Sequence, residues 1–317
     1  MSHPTLIALL AILTLAAPAF PQQPSSFHVY VGTYTGPKSK GIQLFKFDLA
    51  SASLTPQGCV AELTHPTFLT IHPNNKSLYA ISEVGDYNRQ KSGAVAAYSI
   101  DPNTGKLTPL NKQPSTAPGP CYVSIDRSGK FALVANYSGG SVAVLPINPD
   151  GSLAPPSATI QHKGTGPNKQ RQEAPHAHSF NPSPDNQVAF AADLGLDKIF
   201  IYRLDPNNGA LSPNDPPFAS IAPGGGPRHL AVHPNNKFVY VNHEMGNAVS
   251  AFAYNPANHS LTELQTLPTL PPDFKGQSAT AETVVHPSGK FLYVSNRGHD
   301  SIAIFSIDQQ TGKLTPQ

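Results

Sequence analysis

The chain has 317 residues, of which only 13% are charged, and its formal net charge is +2. This balance offers no basic surface of the kind that binds nucleic acid, and two cysteines are too few for a disulfide framework. The 34 prolines and 24 glycines instead indicate many tight turns between short strands.

The first 27 residues differ from the rest of the chain. An apolar run over residues 6–17 is followed by Ala17, Pro18 and Ala19, which is typical of a signal-peptide cleavage site, although no Lys or Arg precedes the run. The run is too short to span a bilayer, so we predict no membrane span. We predict a signal peptide or leader over 1–27 and export to the periplasm or the outside. An uncleaved leader would leave the protein in the cytoplasm.

From residue 28 onward one strand pattern recurs, and it is clearest over 226–246. In each copy an apolar segment runs into a turn, an alternating segment follows, and further strands close the unit. The turns start at His72, Asp126, Ser183, His233 and His286. We predict that the turn histidines have a structural role. The leucines of the closing signature are spaced by 46 to 58 residues and are Leu54, Leu107, Leu153, Leu211, Leu261 and Leu314.

A period of about fifty residues with four strands per unit predicts an all-β fold, the β-propeller. Such sheets pack face to face around an axis, because an isolated one would leave both faces wet. We therefore predict one β-propeller domain over 28–317. Six units are visible, and the first lacks an inner strand. The expected remainder is a further C-terminal unit with the closing strand.

Two positions vary from copy to copy. Residues just after the second strand include Tyr34, Glu83, Asn136, Asp193, Glu244 and Arg297, and residues five before the turn are Thr67, Cys121, His178, Arg228 and Ala281. The inner strand and its neighbour run antiparallel, so both sets should reach the same mouth of the central channel. Capped strand ends are the structural alternative for any single position.

Polar and charged residues from four neighbouring copies are expected to gather at that mouth. They are His176, His178, Asp193, Arg228, Glu244, Glu282 and Arg297, and the loop 160–175 brings Arg171 nearby. Arginine binds oxyanions bidentately, and a carboxylate or imidazole can act on water. The pair His176 and His178 could also bind a metal, but no third ligand is evident, so we predict neither a metal nor another cofactor.

Several segments, taken in order, give the chain a family resemblance. They start at Tyr30 (Tyr-Val-Gly-Thr-Tyr), Pro175 (Pro-His-Ala-His-Ser), Ala192 (Ala-Asp-Leu-Gly), Gly226 (Gly-Pro-Arg-His-Leu-Ala-Val-His-Pro) and Tyr293 (Tyr-Val-Ser-Asn-Arg). From 28 to 317 the chain resembles the 6-phosphogluconolactonase family, whose members are seven-bladed propellers related to carboxy-cis,cis-muconate cyclase. The resemblance implies catalytic roles for His178, Arg228, Glu244 and Arg297, with His176 as an alternative to His178. We expect Arg171, His176, Asp193 and Glu282 to contact substrate.

The resemblance implies hydrolysis of a sugar lactone, either 6-phospho-glucono-1,5-lactone or a non-phosphorylated analogue. Export favours the latter, because few sugar phosphates occur outside the cell. Two alternatives stay open at this stage. One is a cyclase of the muconate type that forms a lactone, and the other is an exported, non-catalytic propeller that binds a ligand or protein. The predicted partner is a small-molecule lactone, and the sequence leaves the oligomeric state open.

Overall fold

The structure is a computed structural model, and it describes residues 25–317, all of whose regular elements are strands. The predicted signal peptide lies outside the described residues except for its last three positions. Twenty-three strands form six antiparallel sheets, which we call blades 1 to 6 in chain order. Because residues 25–317 contain no helix, that part of the chain offers no apolar helix that could cross a membrane.

Blades 1 to 3 contain β1 (Ser26–Val31), β2 (Gly41–Asp48), β3 (Leu54–Glu62); β4 (Leu69–Ile71), β5 (Ser77–Ser82), β6 (Ala94–Ile100), β7 (Leu107–Pro114); and β8 (Pro120–Ile125), β9 (Phe131–Asn136), β10 (Ser141–Pro146), β11 (Ala158–Gln161). Blades 4 to 6 contain β12 (Ala177–Pro182), β13 (Val188–Asp193), β14 (Lys198–Leu204), β15 (Leu211–Ser220); β16 (Pro227–Val232), β17 (Phe238–His243), β18 (Ala248–Asn255), β19 (Ser260–Pro268); and β20 (Ala279–Val285), β21 (Phe291–Arg297), β22 (Ser301–Ile307), β23 (Leu314–Pro316).

The predicted all-β propeller of four-stranded units is confirmed. Blades 2 to 6 have four strands each, and blade 1 has three, in agreement with the missing inner strand read from the sequence. Strand β1 starts at Ser26, two residues before the predicted domain start at 28. Within every blade the strands follow one another in chain order, so each blade is a simple antiparallel meander.

The blades are held together by apolar contacts between neighbouring sheets. The second strands β5, β9, β13 and β17 are buried at every position, which means that both of their faces are covered. Five apolar clusters form the core, one at each of the five junctions between consecutive blades. At the junction of blades 3 and 4, for example, Tyr122 and Leu133 pack with Phe180. Burial between blades therefore replaces a single central core.

Polar contacts repeat at the same junctions. The hydroxyl of Tyr79 donates to the carbonyl of Gly151 at 2.9 Å, and that of Tyr240 donates to Gly312 at 3.0 Å. The turn histidines act likewise, because Nε2 of His72 donates to the carbonyl of Gly129 at 2.8 Å, one blade further on. His233 makes the same bond to Gly289. The predicted structural role of these two histidines is thus confirmed.

One of these glycines is required by both space and conformation. Gly129 has φ of +74°, a region that side chains with a Cβ rarely adopt, and a Cβ there would lie 2.6 Å from the imidazole of His72. The turn of one blade can therefore receive the histidine of the preceding blade only where a glycine stands.

Candidate active site

The inner strands of blades 3 to 6 are irregular where they enter the channel. In β8, β12, β16 and β20 the pairing register shifts, which marks a β-bulge. The residues at the shifts are Cys121, His178, Arg228, His229, Ala281 and Glu282. A bulge re-aims side chains that regular alternation would send to the opposite face. In β16 it lets two consecutive residues, Arg228 and His229, both reach the channel.

Four of these six residues, Cys121, His178, Arg228 and His229, line a cavity of about 320 Å³ at one mouth of the channel. Its lining residues are Tyr34, Thr67, Phe68, Glu83, Cys121, Tyr137, Arg171, His178, Arg228, His229, Glu244 and Arg297. Eight of these twelve belong to the two variable sets of the sequence analysis. The structure therefore brings together all four residues that were predicted to be catalytic, and Arg171 with them.

Glu244 lies at the centre of the cationic side of the cavity. Its Oε1 accepts a hydrogen bond from Arg171 Nη2 at 2.6 Å, and its Oε2 accepts from Arg228 Nε at 2.8 Å and lies 3.0 Å from Arg297 Nη2. His178 Nε2 is 3.7 Å from the same Oε2. The backbone of Glu244 is also fixed, because its N–H donates to the carbonyl of Gly226 at 2.8 Å. Three guanidinium groups thus share one carboxylate.

Blade 6 orients two of the arginines, and a loop carries the third. Arg228 Nη1 donates to the carbonyl of Ala281 at 2.6 Å, and Arg297 Nη2 donates to that of Thr280 at 3.0 Å, so blade 6 orients both. Arg171 comes from the long loop before β12. The neighbouring Gln172 is buried and anchors that loop to Asp197 at 2.8 Å. The structure therefore supports the prediction that Arg171 reaches the mouth.

Burial and charge determine the protonation of the site. Burial alone would raise the pKa of the Glu244 carboxyl, but the hydrogen bond from Arg171 and the charges of Arg228 and Arg297 outweigh it and hold the pKa below its usual value. Burial lowers the pKa of His178 well below 6.5, and the charge of Arg228 lowers it further. At neutral pH the carboxylate is therefore ionised and the imidazole is neutral. Burial also raises the pKa of the Cys121 thiol, which makes it a poor nucleophile.

Glu282 lies behind the cavity lining. Its Oε2 is 3.1 Å from Nδ1 of His229, and it does not line the cavity itself. His229 packs edge-on against His178, with ring centroids 5.3 Å apart, and its Nε2 is 3.1 Å from Arg228 Nη1. Glu282, which was predicted to contact substrate, is placed to act through His229.

The structure places the other two predicted substrate contacts outside the cavity. Asp193 is fully buried, and its carboxylate accepts from the backbone N–H of His176 at 2.8 Å and contacts His162 Nδ1 at 2.5 Å. His176 stacks on Tyr137, with ring centroids 4.5 Å apart, and its Nε2 contacts Glu173. The two histidines pack on Tyr137 in different ways, because the ring of His178 lies edge-on to it with ring centroids 5.2 Å apart. Among residues 25–317 no group of three or more His, Cys, Asp and Glu side chains is arranged to hold a metal ion.

Asp193 stands ten residues after its turn at Ser183, one fewer than the eleven that separate Glu244 from His233, and blade 3 shows the effect of the same offset. The residue that matches Glu244 in blade 3 is Tyr137, which lines the cavity, whereas the sequence comparison used Asn136, one residue earlier. Asn136, Asp193 and His243 end the second strands and are buried. Because side chains alternate across a strand, an offset of one residue exchanges a channel side chain for a buried one. The regular count from the turn, eleven residues in each copy, would have identified Tyr137.

The sequence analysis did not identify the opposite wall of the cavity as a functional surface. It contains Tyr34, Thr67 and Glu83, from blades 1 and 2 and the segment between them. The hydroxyl of Tyr34 donates to Glu83 at 3.1 Å, and that of Thr67 donates to Glu83 Oε2 at 2.5 Å. All three residues stand at the variable positions of the repeat, which could have identified them. The sequence analysis selected the arginine-rich cluster instead.

Fold and site together define a β-propeller whose blades pool unlike polar residues at one mouth. The sequence profile described as "Lactonase, 7-bladed beta-propeller" matches residues 28–317, so the chain belongs to this lactonase family. This confirms the resemblance read from the sequence, and with it the enzyme class at the level of the family.

Solved structures and relatives agree with this assignment. The 6-phosphogluconolactonase of Bacillus subtilis is 42% identical over 285 residues, which cover 90% of this chain and 79% of that protein. The 6-phosphogluconolactonase of Formosa agariphila is 35% identical over 90% of this chain and 80% of its own length. The structure of the periplasmic gluconolactonase of Pseudomonas aeruginosa superposes with a TM-score of 0.86 at 36% identity, over 92% of this chain and 82% of that one.

Proposed function

We propose that this protein hydrolyses a sugar lactone at the mouth of the channel. The observation that carries the proposal is the convergence of Arg171, Arg228 and Arg297 on the single buried carboxylate of Glu244. Three cations against one anion leave this side of the cavity with a surplus of positive charge. Such a surplus stabilises the oxyanion that forms when water attacks a lactone carbonyl. The names of the relatives point to the same substrate class.

Arg228 and Arg297 are the groups proposed to bind that oxyanion. Arg228 uses Nε and Nη1 for protein contacts, and Arg297 uses Nη2. Within residues 25–317 the remaining N–H groups of both guanidiniums have no hydrogen-bond acceptor. These donors are fixed in advance by the carbonyls of blade 6, so they need little reorganisation when charge develops.

His178 is proposed as the general base. Glu244 is a weaker candidate, because its oxygens already accept from guanidiniums and its pKa is held low. His178 is neutral at physiological pH and adjoins the arginines. It would take a proton from water as the water oxygen bonds to the lactone carbonyl carbon. The tetrahedral oxyanion would then collapse, break the bond to the ring oxygen and recover that proton there, which releases the hydroxy acid. Glu244 holds the arginines in place.

A substrate panel tests the proposal. The purified protein is incubated with glucono-1,5-lactone and with its 6-phosphate, and acid release is followed after subtraction of spontaneous hydrolysis. We expect turnover of at least one, and a loss of about 100-fold or more in kcat for Arg228→Ala. Full activity in both Arg228→Ala and Glu244→Gln, with folding intact, would reject the assignment of the site.

Location and phosphorylation are proposed together. The Pseudomonas relative is named periplasmic, which supports export of this chain and the non-phosphorylated lactone as its substrate. We expect a higher kcat/KM for glucono-1,5-lactone than for the 6-phosphate. Fractionation of cells that express the full chain should place the activity outside the cytoplasm. A strong preference for the phosphate together with cytoplasmic activity would contradict both parts.

A further inference from the structure

The cavity has two chemically different walls. Blades 4 to 6 and the loop before β12 supply the three arginines, whereas blades 1 and 2 and the segment between them supply Tyr34, Thr67 and Glu83. Tyr34 Oη lies 3.2 and 3.1 Å from the two Glu83 oxygens, and Thr67 Oγ1 lies 2.5 Å from Oε2. The second wall thus presents one carboxylate and two hydroxyl groups to the same space as the arginines.

Glu83 differs from Glu244 in its partners. Glu244 is shared by three guanidiniums, but no Lys, Arg or His nitrogen within residues 25–317 forms an ion pair with Glu83. Two hydroxyl donors hold its carboxylate, which can accept about four hydrogen bonds. Acceptor capacity therefore remains for donors on a ligand. The hydroxyls of Tyr34 and Thr67 donate their hydrogens to Glu83, so their oxygens can still accept a hydrogen bond from a ligand.

Such a wall suits one kind of ligand group. A carboxylate repels phosphate and carboxylate groups. An apolar ring would displace water from the carboxylate without offering it a hydrogen bond, which is unfavourable. An alcohol, in contrast, can donate to the carboxylate with a charge-assisted bond. A ligand that carries an electron-rich carbonyl at one end and several hydroxyls at the other end would match both walls at once.

We propose that Glu83, supported by Tyr34 and Thr67, is the specificity-determining residue that binds substrate hydroxyls and selects polyhydroxylated lactones. It orients the ring so that the carbonyl faces the arginines. This inference rests on the proposed function and deepens it, because it explains how this site distinguishes a sugar lactone from a bare lactone ring.

The experiment compares two lactones that differ in their hydroxyls. Glucono-1,5-lactone carries four, and δ-valerolactone has the same ring without any. For Glu83→Ala we expect kcat/KM on glucono-1,5-lactone to fall about 10- to 100-fold, the usual worth of a hydrogen bond to a charged group. The rate on δ-valerolactone should stay within about twofold. Tyr34→Phe keeps the ring and removes the hydroxyl, so we expect a smaller loss with the same selectivity.

Glu62→Ala serves as the matched control, because the Glu62 carboxylate is 74% exposed and pairs with the exposed Lys40. It should change neither rate. Equal losses of Glu83→Ala on both lactones would show that Glu83 is merely structural and would overturn the inference, while the proposed function would stand.

A binding measurement separates the inference from the proposed function. By titration calorimetry, wild type should bind gluconate more tightly than 5-hydroxyvalerate, and Glu83→Ala should remove that difference. If wild type cleaves neither lactone, the proposed function fails, and the calorimetry still decides the role of Glu83. Equal affinity of wild type for the two acids, or binding of neither, would overturn the inference by itself.

Discussion

Replacement of Glu244 by Gln tests the centre of the site most directly. The substitution keeps the shape of the side chain and removes its charge, so three guanidiniums lose their common partner. Glu244 is only 6% exposed, and among its partners Arg228 is 15% exposed, Arg171 43% and Arg297 51%. These exposures determine how much each pair contributes.

The buried pair should dominate the cost. Breaking a buried ion pair costs about 3–5 kcal/mol, since it leaves an uncompensated charge, whereas solvent-screened pairs contribute about 1 kcal/mol or less each. We therefore expect Glu244→Gln to lower the free energy of unfolding by about 3–5 kcal/mol, mostly through Arg228. Arg171→Gln should cost about 1 kcal/mol or less. The activity of Glu244→Gln should fall at least about 100-fold, because the arginines are no longer held at the carbonyl.

Urea denaturation of the single variants and of the double variant Arg228→Gln/Glu244→Gln measures these terms. The double variant should cost less than the sum of the singles by more than about 1 kcal/mol, because it removes both charges. An unchanged unfolding midpoint for Glu244→Gln, or a cost of Arg171→Gln equal to that of Arg228→Gln, would refute this reasoning.

Three further outcomes follow from buried groups. The pKa of His178 lies well below 6.5 and the base acts when neutral, so kcat/KM should stay level as pH falls through 6.5 and drop only below it; an acid limb at or above 6.5 would exclude His178 as the base. Burial lowers the pKa of His243 from 6.5 to about 4, so the neutral imidazole contributes its full stability above pH 6.5, and this stability is lost as pH falls toward 4, at about 1.4 kcal/mol per pH unit. His243→Gln should therefore flatten the pH dependence of the unfolding free energy measured in urea. Tyr240→Phe leaves the carbonyl of Gly312 without its donor and should cost about 1–3 kcal/mol in thermal or urea unfolding, whereas a neutral effect would mean that the junction of blades 5 and 6 does not depend on this bond.

The propeller could be predicted because its signals are local. Alternation in segments such as 238–243 fixes a strand, and turn residues such as those at 233–236 fix where it reverses. Repetition of these signals every fifty residues or so leaves few architectures other than stacked blades. The same comparison also identified the turn histidines, since they recur at one position, and two of them bond to the next blade.

The site was predicted in part, and the error at Asp193 has a simple source. His178, Arg228, Glu244 and Arg297 break the repeat, and the structure gathers all four. Asp193 breaks it equally, yet it is buried beneath the site. Asp193 lies one residue before the position that corresponds to Glu244, and only a count of residues from the turn in each copy reveals this offset.

The sequence by itself determined the strands, their grouping into blades and the mouth at which unlike residues collect, since each depends on spacing along the chain. Only the tertiary structure decided which side chains meet. The bulges at Arg228 and His178 turn side chains into the channel, and Glu244 contacts Arg171 across 73 positions of sequence. Bulge position and long-range packing arise from the fit between neighbouring blades, which no single copy of the repeat encodes.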